Sequence, residues 1–508
     1  MEGRRRGRAA RRQAPAARAV NYRQLRHPFK PQSVFSEEAV VRMHWKALRV
    51  LEELGLKILN AEARSLFQAA GALVDEDSQM VRIGADIVEG ALAAAPRSFT
   101  LRSANPEREQ RYEPGAMLFA PGGGCPNATD AVRGRRPGSL SDFEETIQLQ
   151  QSFDVIHVHG PSAEPQDVPV NLRHYAITKV QLCNGDKPYF LYARGRRQSQ
   201  ESFEMIQLGL GLSAEDFAGG VWAKTIINTN SPRQIDVPMA EGIVDFARAG
   251  QLSVITPFCL SGAMAPVTVA GALVLQHAEA LAGIALAQLA KAGAPVSYGG
   301  FSSNVDMKSG APAFGTPEHI KLAIGSGQLA RHIGMPWRSA SGSAANIADM
   351  QAAGETHMAT WGTLMANATL IVHAAGWLEG GLSFGYEKFV NDIEGLQILA
   401  ELCRPPEEDE ASLGWEALAD VDPGGHFFAT AHTMERFSTA FYEPLIADLS
   451  NYGSWKEAGG KTATERATGT WQQILADFQP PPTAAGMEER LAPYIEAATA
   501  RGGAQPAD

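Results

Sequence analysis

Four cysteines in 508 residues, Cys125, Cys183, Cys259 and Cys403, stand far apart and form no CxxC pair. A disulfide framework and a zinc site both lack the thiols they need, and reduced thiols in a cytoplasmic enzyme are the expectation. The longest apolar stretch, opened by Pro266, is broken by Gln276, His277, Glu279 and Gln288. Placing such groups in lipid costs about 2 kcal/mol or more for each charge, so this stretch is not read as a membrane span. No apolar run follows the Arg-rich start, and no secretion signal is read there. The Pro121-Gly-Gly-Gly124 turn lacks the order GxxxxGK followed by Ser or Thr, so a tight turn is expected and not a phosphate cradle. Positive charge is also in deficit: the formal net charge is −11, and Met1–Arg18 holds seven arginines against one glutamate, which leaves −17 on the rest. A body this acidic repels nucleic-acid backbones.

What the chain does have is a regular alternation. Eight short apolar or β-branched runs, each bounded by Gly, Pro or Asn and followed by a helical pattern, lie at Met117–Ala120, Phe153–His159, Pro188–Ala193, Val221–Asn228, Leu252–Phe258, Pro295–Gly300, Pro336–Ala340 and Thr369–Ala374. Eight βα units predict an α/β fold of the closed (β/α)8 TIM barrel type, with its chemistry at the strand C-terminal ends. Thr316-Pro317-Glu318 is a helix-start signal of this pattern. Residues 1–20 are read as a solvated Arg-rich tail, 21–115 as an N-terminal extension with a helix opened by Ser36, 116–403 as the barrel, and 404–508 as a helical C-terminal region. In that last region Phe437, Phe441 and Tyr442 are expected to cover the barrel or a second subunit.

Candidate site residues follow from strand-end position. The long loop from Phe301 to Phe314 carries Asn304 and Asp306, and the strand before it brings Tyr298. The next strand ends in Ser341, and Asp349 follows as either a helix-start acid or a functional one. The eighth strand runs into His373, Trp377 and Glu379, then Phe384, Tyr386 and Glu387. Aromatic rings beside carboxylates suit a methylated ammonium, which attracts ring faces and anions but donates no hydrogen bond. His373 alone reads as a core histidine. Other strand-end polar groups are Arg194, Asn228, and the pair His157 and His159, which share a strand face but lack a third ligand; no metal is assigned.

The run Phe119-Ala-Pro-Gly-Gly-Gly124, the Tyr298-Gly-Gly-Phe301 to Phe314-Gly315 loop, Asp349-Met-Gln351-Ala-Ala-Gly-Glu355, Gly385-Tyr386-Glu387-Lys388 and Pro423-Gly-Gly-His426-Phe427 together resemble the trimethylamine methyltransferase family. The resemblance implies a barrel enzyme that moves a methyl group from a methylated amine to the Co(I) of a corrinoid (cobalamin) carried by a separate corrinoid-binding protein, which docks over the mouth. Family members with pyrrolysine act on trimethylamine; this chain has only ordinary amino acids, and so resembles the branch that includes enzymes of quaternary amines such as glycine betaine. On that reading Tyr298, Phe301, Phe384 and Tyr386 form the cage, Asp306, Asp349, Glu379 or Glu387 supply countercharge, and Arg194, Asn228 or Ser341 meet a substrate carboxylate, with Asn304 and His157 nearby. Asp349, Glu379 and Glu387 are the catalytic candidates, and a homo-oligomer is expected. Two rivals are a barrel lyase acting on a carboxylated amine and a non-catalytic amine-binding protein.

Overall fold

The computed structural model describes residues 20–507, so the Arg-rich tail, apart from Val20, lies outside the described residues. Helix α1 (Glu37–Arg49) opens the N-terminal portion as expected, with Ser36 accepting from the Ala39 N–H. Seven of the eight predicted strands then form one parallel sheet: β1 (Leu118–Phe119), β2 (Tyr189–Phe190), β3 (Ala223–Ile227), β4 (Leu252–Ile255), β5 (Val296–Gly299), β6 (Trp337–Ala340) and β7 (Leu370–Val372). Their order is β1-β7-β6-β5-β4-β3-β2, so the first strand pairs with the last and the sheet curls.

The expected strand Phe153–His159 is not formed, and the ladder is that of a curled seven-stranded sheet, not of a complete eight-stranded barrel. Irregular chain occupies the gap between the two edge strands. His157 N donates to Phe119 O at 2.9 Å and His159 N to Pro188 O at 3.1 Å. The reason for the irregularity is chemical: the Phe119 N–H is taken by the His157 ring, at Nδ1, where a ladder would offer a carbonyl. The ring proton then sits on Nε2 and donates to Tyr22 O at 3.0 Å.

Helices α2 (Leu140–Ser152) to α9 (Tyr386–Leu402) alternate with the strands: α3 (Arg173–Asn184), α4 (Arg196–Leu210), α5 (Val237–Arg248), α6 (Val269–Ala290), α7 (Pro317–His332) and α8 (Met350–Met365). Thr316 caps α7 with Pro317 at its first position, as the sequence pattern predicts. Helix α6 is long and apolar enough to cross a membrane, but it is packed inside the fold. Its polar groups are answered by protein: Glu279 accepts from Thr229, Ser231 and the Arg233 N–H, and Gln276 donates to Ser326. An antiparallel hairpin, Phe99–Leu101 with Gln110–Tyr112, plugs the strand N-terminal end. Tyr112 donates to Ser297 at 2.8 Å, and Leu101 and Tyr112 pack with Leu118, Leu252, Val254 and Leu370 to fill the interior. Space remains at the opposite, C-terminal end. Beyond α9, α10 (Ala463–Asp477) lies on α9, and α11 (Met487–Ala500) on α3 and α4.

Candidate functional site

A cavity of about 460 Å³ opens at the C-terminal ends of the strands and takes lining from all seven of them or the residues just past them, Ala120, Phe190, Lys224, Phe258, Phe301, Arg338 and His373, and from His159 of the irregular segment between the edge strands. The alternation of a strand selects these side chains. On β3 and at the residue just past it, Lys224, Ile226 and Asn228 line the cavity while Thr225 and Ile227 are buried on the other side.

Its floor is cationic. Lys224 is buried, donates to His159 O at 2.6 Å, and lies 5.4 Å from the Phe190 ring centre. Burial pushes its ammonium down to about 7. Arg338 is equally buried, its guanidinium 4.8 Å over the Phe301 ring, and desolvation lowers it to about 9. Its Nε has no hydrogen-bond partner, and neither cation forms an ion pair among the described residues. His373 adds a further mismatch. Gly123 N lies 3.3 Å from its Nδ1 and Arg338 Nη2 lies 3.3 Å from its Nε2. Both neighbours are donors, whereas a neutral imidazole has one acceptor nitrogen, so its own N–H points at a group that cannot accept. Burial and the nearby guanidinium hold this imidazole well below its usual pKa and therefore neutral.

The walls are aromatic. Phe301 stacks with Phe314 at 5.5 Å, meets Phe258 at 4.9 Å and Trp377 at 5.6 Å, and Trp377 stacks on His373 at 4.4 Å. His373 takes φ +60, a left-handed conformation rare for non-glycine residues and found at functional sites. Gly342, at φ +104, leaves room for the Trp377 ring, which a Cβ there would strike. Arg194 lies 4.3 Å over the Tyr192 ring and is neutralised by Glu164, which also faces Arg173.

Of the residues expected from sequence, Phe301, Arg194 and Asn228 line this cavity. The others lie elsewhere. Tyr298 points outward from β5, its hydroxyl 3.2 Å from both Gln276 and His277 of α6, because Ser297 takes the inward position. Tyr386 donates to Glu145 at 2.6 Å and Asp142 at 3.1 Å, and Phe384 packs beside it against Phe389. Glu387 accepts from Trp471 and Thr468 and fastens α10; Asp349 caps α8. Glu379 pairs with Arg135 and Ser383 at the rim. Asp306 closes its own turn through Ser309, Asn304 accepts from Thr316, Ser341 bonds Thr360, and His157 is spent between Phe119 and Tyr22. The structure therefore does not bring the expected cage of Tyr298, Phe384 and Tyr386, or the expected countercharge of Asp306, Asp349, Glu379 and Glu387, to the lining of this cavity. Lys224 and Arg338 were missed. Their signal was a charged residue inside a strand run that should be apolar on both faces.

The family model "Trimethylamine methyltransferase (MTTB)" matches residues 3–503. A glycine betaine methyltransferase of Desulfitobacterium hafniense (strain Y51) is 32% identical over 465 residues, 91% of this chain and 96% of that protein. The trimethylamine methyltransferase MttB of Desulfitobacterium hafniense (strain DSM 10664 / DCB-2) is 28% identical, over 91% of this chain and 93% of that one. Among solved structures, the Methanosarcina barkeri monomethylamine methyltransferase (MtmB) aligns over 90% of this chain and 92% of its own, with a TM-score of 0.44 and 11% identity. With a model match over nearly its whole length and a relative this similar, the chain belongs to the trimethylamine methyltransferase family.

Proposed function

We propose that this methyltransferase takes a methyl group from a quaternary ammonium that also carries a carboxylate, a glycine-betaine-like substrate, and delivers it to a corrinoid held by a separate protein. The observation that supports this most is the cavity floor: Arg338, Lys224 and the His373 edge present donors and charge that no protein carboxylate answers. Buried cations without a partner are costly, and an oxyanion on the floor would satisfy all three. Phe258 and Trp377, which also line the cavity, would then take the other end of the ligand, since a cation without N–H groups is held by ring faces.

Chemistry favours a quaternary nitrogen in this setting. A neutral tertiary amine would have to leave as an amide anion unless first protonated, whereas a quaternary ammonium leaves as a neutral amine. No general acid is required. The corrinoid, when bound on its partner, supplies a reduced cobalt nucleophile. The residues of this chain anchor the carboxylate at the floor, turn the N-methyl groups toward the mouth and keep water away, a positioning effect worth up to about 7–11 kcal/mol. Val132, Val267, Met307 and Leu382 are exposed on loops around the strand ends and offer an apolar rim to the partner. We also read residues 155–159 as the eighth stave of a barrel, joined to both edge strands by single backbone bonds. A lyase reading has less support, because His373, the lining histidine beside Arg338, has donors at both ring nitrogens and so no free lone pair aimed at a substrate proton.

The test is spectroscopic: the chain is mixed with a Co(I) corrinoid protein and offered glycine betaine, larger betaines, choline or trimethylamine. Methylation of the corrinoid by betaines, with choline and trimethylamine much slower, is the expected result. Substrate conversion without corrinoid, or equal use of choline, overturns it.

A further inference from the structure

We infer that Lys388 and Asp392, a buried ion pair on α9, are positioning residues for the methyl transfer: through the Gly376 N–H they hold the turn that carries His373 and Trp377 at the cavity wall. The inference rests on that cavity being the substrate site. It also gives a role to the Gly385-Tyr386-Glu387-Lys388 run, in which Tyr386 and Glu387 only fasten the scaffold.

The turn is costly backbone. After β7 the chain takes φ +60 at His373 and φ +84 at Gly376, then starts a short hairpin in which Trp377 pairs with Phe384 and Leu378 with Ser383. A Cβ on Gly376 would come within 2.4 Å of the Phe384 ring. These two left-handed residues bring His373 and Trp377 side by side, their rings stacked at 4.4 Å, with Trp377 also against Phe301 and Phe314. Left-handed backbone at a residue other than glycine persists only where its surroundings over-determine it. Here they do so from two sides. Toward β1, His373 N donates to Pro121 O, Ala374 N to Ala120 O, and Ala375 O accepts from Gly122 N. Toward α9, Gly376 O accepts from Gly385 N, and Gly376 N donates to Asp392 Oδ2, each at 2.8 Å.

Asp392 is itself held. Its other carboxylate oxygen meets Lys388 Nζ one helical turn earlier, and the two side chains are 3% and 2% exposed. Lys388 Nζ also donates to Thr356 Oγ1 of α8 at 2.9 Å, and the Thr356 carbonyl accepts from Ser341, three residues past Arg338, at 3.0 Å. The ends of β6 and β7, whose Arg338 and His373 side chains approach to 3.3 Å on the cavity floor, are thus also tied on the helix side by one buried polar network. Stability does not explain an ion pair in this place, because well-packed apolar side chains of similar volume are as stable or more so. What an apolar pair cannot supply is an acceptor for Gly376 N–H, and with it the direction in which the Trp377 ring leaves the turn. The pair therefore sets geometry: it keeps the ring that takes the ammonium end in register with the floor that takes the carboxylate.

Two double variants of the full chain separate geometry from charge. Lys388→Met with Asp392→Leu leaves neither a buried charge nor an acceptor; Lys388→Gln with Asp392→Asn removes the charges but keeps an amide oxygen for Gly376. In the first, amide hydrogen exchange at Gly376 should speed up by about 10- to 100-fold, the scale of one lost hydrogen bond to a charged group. Its kcat/KM for glycine betaine, measured with a Co(I) corrinoid protein, should fall by about 100-fold, the scale of a displacement near 1 Å. The amide pair should slow the exchange again and recover about tenfold or more of the lost kcat/KM. Circular dichroism is the folding control, and Lys388→Met with Asp392→Ala makes the same comparison if leucine is not accommodated. Wild-type exchange at Gly376 in the Met/Leu protein, faster exchange with kcat/KM within about threefold of wild type, or an amide pair as impaired as the apolar one would overturn the inference. A wild type that methylates no corrinoid from any betaine would instead overturn the reading of the cavity, and this inference with it, whatever the exchange shows.

Discussion

Two groups of buried or half-buried cations sit near the same cavity mouth and are treated in opposite ways. In the hairpin of Asn127–Thr129 and Arg136–Pro137, Arg133 and Arg136 share Asp130, Arg133 also meets Glu145, Arg136 meets Asp142, and Tyr386 lies under both guanidinium groups. Every charge there has an opposite charge in contact. A few residues away in space, Arg338 and Lys224 have carbonyls, rings and a histidine, but no carboxylate. The first group is complete without a ligand and so reads as scaffold. The second is complete only when something negative arrives, which is how a fold shows that a ligand belongs there.

The largest expected effect breaks the second group. Arg338→Met should lower kcat/KM for a betaine by about 100- to 1000-fold, since truncating one partner of a buried charge pair costs about 2–5 kcal/mol. Its thermal melt should be unchanged or higher, because an unpaired buried charge has been replaced by an apolar side chain. A normal kcat/KM in this variant would return Arg338 to the scaffold. Asp130→Ala is the mirror experiment. Two arginines lose their shared carboxylate, so unfolding free energy in a denaturant titration should fall by about 2–3 kcal/mol, while kcat/KM stays near wild type.

Smaller, and sharper in its sign, is the pH dependence. The free-enzyme Lys224 titrates near 7, far below an ordinary lysine, because it is buried. Below that pH it is an ammonium and draws a carboxylate; above it the amine is neutral and the attraction is lost. The kcat/KM for a betaine should therefore decline as pH rises through about 7, and Lys224→Gln should flatten that limb of the profile. Choline, which has no carboxylate, should show no such limb in either protein.

The strand positions were legible because burial on both faces leaves short apolar runs between turn residues, and seven of eight became strands near their predicted ends. The eighth failed where a side chain mimics backbone: nothing in the order of residues 153–159 says that the His157 ring will take the Phe119 N–H. Phe301, Arg194 and Asn228 were placed by strand-end position alone, which fixes the level in the fold but not the direction of a side chain. Direction depends on register, and register is set by partners far along the chain, such as the contact of Tyr112 with Ser297 across 185 residues. The exposed rings of Phe437 and Phe441 were equally hidden, because composition cannot distinguish a ring that covers its own sheet from one that leaves it uncovered.

Tyr298 gives the finest test of that distinction between level and direction. It stands at a strand end, beside a glycine pair and in a residue order that resembles an aromatic cage, yet its hydroxyl lies against Gln276 and His277 on the helix side of the sheet. Tyr298→Phe removes hydrogen bonds between neutral groups, each worth about 0.5–1.5 kcal/mol net. It leaves the ring, and hence the packing, in place. Unfolding free energy should drop by about 1 kcal/mol with KM and kcat unchanged for every betaine. A rise in KM without loss of stability would turn Tyr298 back toward the ligand, and with it the register of β5.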